Sequence, residues 1–305
     1  MIKVPCIVGP TGVGKTEISV KMALKYKAEI ISADSRQIYK YMDVGTDKPS
    51  QELQKLVKFH LIDIIPPDKV YSAGDYAREA LRIIKRLHSQ SKRFILVGGS
   101  GLYIKALFSP LFPDIGKDSE LRDKLGKLPT HKLYQELKKI DPESSNRIHP
   151  HDRQRIIRAL EVYEITGIPL SEQWKKKSRP KEELLPFYIG LFLKRSLLYS
   201  RIYNRFDEMI RRGFIEEVKR LKGLGYSKEL YAFNAVGYRE IFEYLEGRVS
   251  LEKAIKEAKR RTKEYARRQL IWFKNQQGIR WIDCENREEA EGKIERLLAE
   301  VWGVN

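Results

Sequence analysis

The opening stretch, Met1-Ile2-Lys3-Val4-Pro5-Cys6-Ile7-Val8-Gly9-Pro10-Thr11-Gly12-Val13-Gly14-Lys15-Thr16, sets an apolar run against a glycine-rich turn. Ile2–Val8 reads as a buried strand and Gly14–Tyr26 as a helix. The turn between them has the form G-x-x-x-x-G-K-T and stands where its mechanism requires, after a strand and opening a helix. Glycines let the backbone wrap with its N–H groups pointing inward, and the helix N-terminus adds partial positive charge. Gly9, Pro10, Thr11, Gly12, Val13, Gly14, Lys15 and Thr16 are therefore the candidate diphosphate-binding loop. Lys15 would reach the outer phosphate oxygens and the Thr16 hydroxyl is a candidate ligand for Mg²⁺. Such a loop implies a diphosphate or triphosphate ligand and says nothing of hydrolysis.

Working outward, Glu29–Ser32, Leu61–Ile65 and Phe94–Val97 read as strands, and 73–89 and 102–108 as helices. Strands alternating with helices in this way predict a parallel sheet covered on both faces. From Asp118 to Arg179 only helical periodicity remains, around 119–125, 131–140, 151–166 and 171–177, with Pro129, Pro142, Pro150 and Pro169 as punctuation and a composition break near Pro110–Ile115. Strands return at 187–193 and 280–283, before a last helix over 287–301. The expectation is an α/β fold, a P-loop NTPase-like parallel core over 1–117 and 183–305, interrupted by an all-helical insertion over 118–182.

The 305 residues carry 59 Lys and Arg against 41 Asp and Glu, a formal charge of +18. That field attracts polyanions without choosing among RNA, DNA and anionic lipid. The two cysteines, Cys6 and Cys284, are too few for a disulfide framework or a cysteine-based zinc site. Neither a membrane-span run nor a signal-peptide core is present, so no membrane partner is expected and a cytoplasmic location is.

A kinase or phosphohydrolase should carry an acidic residue at the end of a later strand to hold its metal. Phe94-Ile95-Leu96-Val97 instead runs into Gly98-Gly99-Ser100-Gly101, and Asp63 falls in the middle of its expected strand. Asp34, in Ile30-Ile31-Ser32-Ala33-Asp34-Ser35, does lie at a strand's C-terminal end, where open parallel sheets bind ligands. A carboxylate there could hold Mg²⁺ through water, accept a proton from a nucleophile, or simply cap the next turn.

Several segments in order resemble the tRNA dimethylallyltransferases, also called tRNA isopentenyltransferases. They are Gly9–Thr16, Asp34-Ser35-Arg36-Gln37-Ile38-Tyr39, Met42–Pro49, His60–Asp63 with Tyr71-Ser72, Gly98–Tyr103, Asp152–Glu161, Val236-Gly237-Tyr238-Arg239 and Arg267–Phe273. Ser100 departs from the family's Thr but keeps the hydroxyl. Some relatives end in a zinc finger; this chain ends at Asn305 without a Cys/His set, which suggests the bacterial type.

The resemblance implies transfer of a dimethylallyl group from dimethylallyl diphosphate to N6 of adenosine 37 of tRNA, with Mg²⁺ as cofactor and diphosphate as leaving group. It makes Asp34 the base, with Lys15 and Arg205 completing the catalytic set. Arg205 and Arg201 lie four apart on one helix, and Arg205 is the better match for the family's diphosphate-contacting arginine. The partners expected are the tRNA anticodon stem-loop and dimethylallyl diphosphate, with the chain a monomer. Candidate tRNA contacts are Asp34, Ser35, Arg36, Gln37, Ser100, Arg122, Gln154, Arg155, Ile156, Ile157, Arg158 and Arg239. Arg260, Lys263 and Arg267 join them on their own spacing, because Lys256–Lys274 holds eight basic and two acidic residues and Lys256, Arg260, Lys263, Arg267 and Lys274 fall on one helical stripe. A P-loop small-molecule kinase and a non-catalytic RNA-binding protein remain the rival classes.

Overall fold

A computed structural model describes residues 1–109, 115, 116, 118–175 and 183–304. In chain order the elements are β1 (Ile2–Val8), α1 (Lys15–Tyr26), β2 (Glu29–Ser32), α2 (Gln51–Leu56), β3 (Phe59–His60), α3 (Ala73–Ser89), β4 (Phe94–Gly98) and α4 (Gly101–Phe108). Five helices come next, α5 (Ser119–Gly126), α6 (Thr130–Ile140), α7 (Pro142–Arg147), α8 (Arg153–Thr166) and α9 (Leu170–Lys175). The chain continues with β5 (Leu184–Phe192), α10 (Arg195–Arg211), α11 (Phe214–Gly223), a 3₁₀ turn (Tyr231–Asn234), α12 (Tyr238–Leu245), α13 (Leu251–Lys274), β6 (Arg280–Asp283) and α14 (Arg287–Trp302).

The six strands form one sheet in the order β3-β2-β4-β1-β5-β6, every pairing parallel. Residue alternation divides its two faces between two cores. Val4, Cys6 and Val8 of β1 and Phe94 and Leu96 of β4 enter one core with α3, α4 and α11–α13. Ile7, Ile95 and Val97 enter the other with α1 and α14. Strands apolar on both faces are what a sheet covered on both sides requires. The chain leaves β1 to build the β2–β3 side, then returns through β4 and crosses to β5 and β6. β1 thus lies where the direction of building changes, and the glycine-rich loop leaves its C-terminal end, the usual ligand position in open α/β sheets.

The expected strand over 61–65 is not formed. Leu61 and Asp63 adopt positive φ, 63° and 53°, which a parallel ladder excludes, and pairing stops after Phe59–His60. Residues 61–65 instead form a loop, in which the Asp63 N–H donates to the Gln37 carbonyl and the Ile64 N–H to that of Ile38. Pro142 does not interrupt a helix but begins one, at the first turn of α7 with Asp141 as its cap. Most of the composition break at 110–115 and residues 176–177 of the last insertion helix lie outside the described residues.

The chain divides into two compact units, 1–108 with 182–305, and 109–181. The division thus falls about nine residues before the expected boundary at 117/118. The second unit has its own core of Leu133, Leu137, Ile148, Ile156, Ala159, Leu160, Val162 and Leu170. Inside it Glu161 is fully buried, held by a two-pronged Arg122 fork at 2.7 Å and 2.7 Å and by Arg158 at 2.6 Å. These bonds, with the Asp118 N–H, hold its carboxyl below the usual range against the opposing effect of burial. Among the described residues no helix is long and apolar enough to cross a membrane.

Candidate active site

Gly14 caps α1 with φ 98°, a left-handed conformation that favours glycine. The Lys15 ammonium folds back to donate to the Pro10 carbonyl at 2.7 Å. A residue from the far end of the chain fixes the loop. Gln269 of α13 accepts the Thr11 N–H at 2.8 Å and donates to the Gly99 carbonyl at 3.0 Å, stitching the β1 and β4 loops together. Gly99 has to be glycine for this, since a Cβ there would stand 2.2 Å from Gln269 Nε2.

The loop lines a cavity of about 400 Å³ with Asp34, Thr46, Asp47, Arg201, Arg205 and Arg287. Burial pushes the Lys15 ammonium down to about 8, against the attraction of Asp34; Arg205 lowers it further. Arg205 donates to the Thr11 hydroxyl at 2.5 Å and pairs with Asp47 at 3.1 Å. Arg201, one turn earlier on α10, forms no ion pair among the described residues, and an added Cβ at Gly14 would lie 4.0 Å from its Nη1. A pocket with this many cations at a helix N-terminus suits a diphosphate.

Asp34 stands just past β2, its Oδ1 accepting the N–H groups of Arg36 at 2.8 Å and Gln37 at 3.4 Å. These bonds fix the carboxylate against the turn and leave it on the cavity wall. Gln37 reaches the Thr46 and Asp47 carbonyls at 3.3 and 3.0 Å and so ties the Asp34 turn to the next loop. That loop is held from below. Glu217 of α11, 6% exposed, accepts the N–H groups of Asp43, Val44 and Gly45 and the Tyr238 hydroxyl. Lys48, 5% exposed, pairs with Asp43 and Asp63.

A second cavity of about 270 Å³ shares Thr11, Asp34, Thr46, Arg205 and Tyr265 with the first. Its far wall is apolar, from Ile202, Phe206, Met209, Ala235 and Val236, and its polar rim includes Arg36, Asn234 and Arg268. Burial, with Asp34 nearby, pushes the Tyr265 phenol up to about 12, while a hydrogen bond with Ser100 opposes the shift. Ser100 also accepts the Ser35 N–H at 2.9 Å. Asp34 thus lines both the cavity of the glycine-rich loop and a second cavity of mixed apolar and cationic lining.

Asp34, Lys15, Thr16, Arg205 and Gln37 line the first cavity, Arg36 the second, and Ser35 and Ser100 stand beside them. Arg239 lies half-buried on α12, away from both. Arg122, Gln154, Arg155, Ile156, Ile157 and Arg158 belong to the other unit. There Gln154 and Arg155 are exposed, but Ile156 is 0% exposed, because the helical period turns its side chain into that unit's core and away from any RNA surface. Ile157 is half-buried, and Arg122 and Arg158 are committed to Glu161. The basic stripe of α13 is also narrower than its sequence suggests. Arg260 is clamped between Glu257 and Glu264, and Lys263 lies over the Tyr199 ring, leaving Lys256, Arg267 and Lys274 exposed without ion pairs among the described residues.

The structure adds Gln269, Tyr265, Asp47 and Glu217 to the residues expected from sequence. Gln269 and Tyr265 are four apart on one face of α13, a spacing legible in the sequence; the pairings of Asp47 and Glu217 span more than 150 residues and are not. Among the described residues no three His, Cys, Asp or Glu gather as a metal cluster. The Thr16 hydroxyl and Asp34 carboxylate on one cavity wall are nonetheless hard oxygen donors, which suit a Mg²⁺ that keeps waters and shares phosphate oxygens.

The model of the IPP transferase family matches residues 37–276. A tRNA dimethylallyltransferase of Carboxydothermus hydrogenoformans is 46% identical over 310 residues, covering 99% of this chain and 98% of its own. The solved full-length tRNA isopentenylpyrophosphate transferase of Bacillus halodurans is 36% identical with a TM-score of 0.73, covering 99% of this chain and 97% of its own. A eukaryotic dimethylallyltransferase solved acting on tRNA reaches a TM-score of 0.85 at 26% identity, over 100% of this chain and 81% of its own. With its phosphate loop, its Asp34 turn and its full-length likeness to these enzymes, the chain belongs to the tRNA dimethylallyltransferase family.

Proposed function

We propose that this protein transfers the dimethylallyl group of dimethylallyl diphosphate to N6 of adenosine 37, in the anticodon loop of tRNA. The observation that carries the reading is the shared wall. Asp34 lies between the cationic cavity of the phosphate loop and a cavity with an apolar face. In the first, Lys15, the loop amides, Arg201 and Arg205 hold the diphosphate.

The N6 lone pair forms a bond to the allylic C1 as the C1–O bond breaks, and that electron pair leaves on the diphosphate. The N6 proton goes to the Asp34 carboxylate. Adenine N6 is a weak nucleophile, so a base placed at the attacking atom lowers the barrier. The leaving group's growing charge meets the fixed cations that line the cavity. Mg²⁺, which the Thr16 hydroxyl would help to hold, would supply further charge on the diphosphate oxygens. Since the acceptor base stacks within its loop, it has to be turned out, and loop bases are easier to extrude than duplex ones.

The test is incorporation of labelled dimethylallyl diphosphate into unmodified tRNA with Mg²⁺ and no nucleoside triphosphate. Label should enter a tRNA carrying A37 and not one lacking it. ATP-dependent phosphorylation of a small molecule, with no label in tRNA, would overturn the reading.

A further inference from the structure

Tyr231 has no part in the chemistry above, yet it belongs to a turn whose last residue reaches the second cavity. It opens the 3₁₀ turn whose last residue, Asn234, lines that cavity along with Ala235 and Val236. Its neighbours Ala232 and Phe233 are fully buried, so the turn is anchored, while Tyr231 itself is 42% exposed. Against it comes Arg36, which lines the second cavity two residues from Asp34. The Arg36 guanidinium carbon lies 5.1 Å from the Tyr231 ring centroid, and its Nη1 donates to the Tyr231 carbonyl at 3.2 Å. The guanidinium carbon thus lies over the ring, and the pair is joined by a backbone bond that would survive changes of the tyrosine side chain.

We infer that the Arg36–Tyr231 pair is a stacking platform for an RNA base, the one next to the nucleotide turned out toward Asp34. Extruding a base leaves its neighbour with one face unstacked, and single-stranded RNA bases pack on aromatic rings and guanidinium planes. The tyrosine ring carries no charge and reads no base edge, so its share of the platform's affinity is indifferent to salt and tolerant of base identity. This inference rests on the proposed tRNA reaction.

The test uses the full chain, dimethylallyl diphosphate and a synthetic anticodon stem-loop with A37. Tyr231→Leu should raise the KM for the stem-loop about tenfold to a hundredfold, the range of one lost base stack. Tyr231→Phe should stay within about twofold of the parent, since the ring is what matters. Both should keep the parent's KM for dimethylallyl diphosphate and the slope of stem-loop affinity against salt. In Tyr231→Trp the new indole should be quenched on adding the stem-loop, a signal that a merely structural tyrosine would not produce. Equal stem-loop KM for the Leu and Phe variants, or an unquenched indole, would overturn the platform while leaving the proposed function standing. A parent enzyme that leaves the stem-loop and whole tRNA unmodified would instead overturn the function.

Discussion

Of the carboxylates lining the cavity of the glycine-rich loop, Asp34 is the one without an ion pair among the described residues, as the proposed base requires. Asp47 is held between Arg205 at 3.1 Å and Arg212 at 3.6 Å, and Glu17 is paired with Arg287. Replacing Asp34 by Ala should lower kcat by about 10²- to 10⁴-fold, the usual weight of a general base. The tRNA Kd should change by less than about threefold, which filter binding can check against single-turnover rates. Lys15 carries a prediction in pH. Burial holds its ammonium down to about 8, below the value of 10.5 it has in the unfolded chain. The folded, ligand-free protein therefore binds fewer protons than the unfolded one between those values, and its stability should rise with pH across that window. Bound diphosphate favours the charged ammonium. The thermal shift produced by inorganic diphosphate should be large at pH 7 and shrink as pH rises through about 8, and Lys15→Met should lose that pH dependence.

Among the elements, α13 and α11 do more for the site than their distance along the chain suggests. α13 places Gln269 against the phosphate loop and Tyr265 at the junction of the cavities, while α11 presents one buried carboxylate to three consecutive amides. Glu217→Leu would leave those N–H groups and the Tyr238 hydroxyl without their acceptor. A loss of about 2–4 kcal/mol in denaturant unfolding is expected, together with a raised KM for dimethylallyl diphosphate, because Thr46 and Asp47 ride on the same loop. Unchanged stability in that variant would remove Glu217 from this role.

For the whole molecule, the excess of +18 is not spread evenly over what its sequence made look like one stripe. Arg260 is neutralised by its own helix, so Arg260→Gln should hardly alter tRNA affinity. Arg267→Glu with Lys274→Glu should raise the tRNA Kd and flatten its dependence on log salt by about one to two units. The second unit has its own electrostatic condition. The lowered carboxyl of Glu161 contributes stability that is present above about pH 4.5 and lost as pH falls through its folded value. Glu161→Gln should therefore unfold this unit more readily at neutral pH, with a smaller penalty in acid, as hydrogen exchange of 118–175 would report.

The sequence by itself determined the parallel core, the phosphate loop and Asp34, because each depends on local signals: apolar runs, glycines at a turn, and a carboxylate at a strand end. It also carried the helical character of the insertion. Tertiary structure decided which charges are free. Arg260, Arg122 and Arg158 look unpaired in one dimension, but each has carboxylate partners in the fold. It also decided the end of β3, where two left-handed residues overrode an apolar run, and the support of the site by Gln269 and Glu217. Those last two choices rest on contacts between residues more than 150 positions apart, and no local pattern records which distant side chain will arrive.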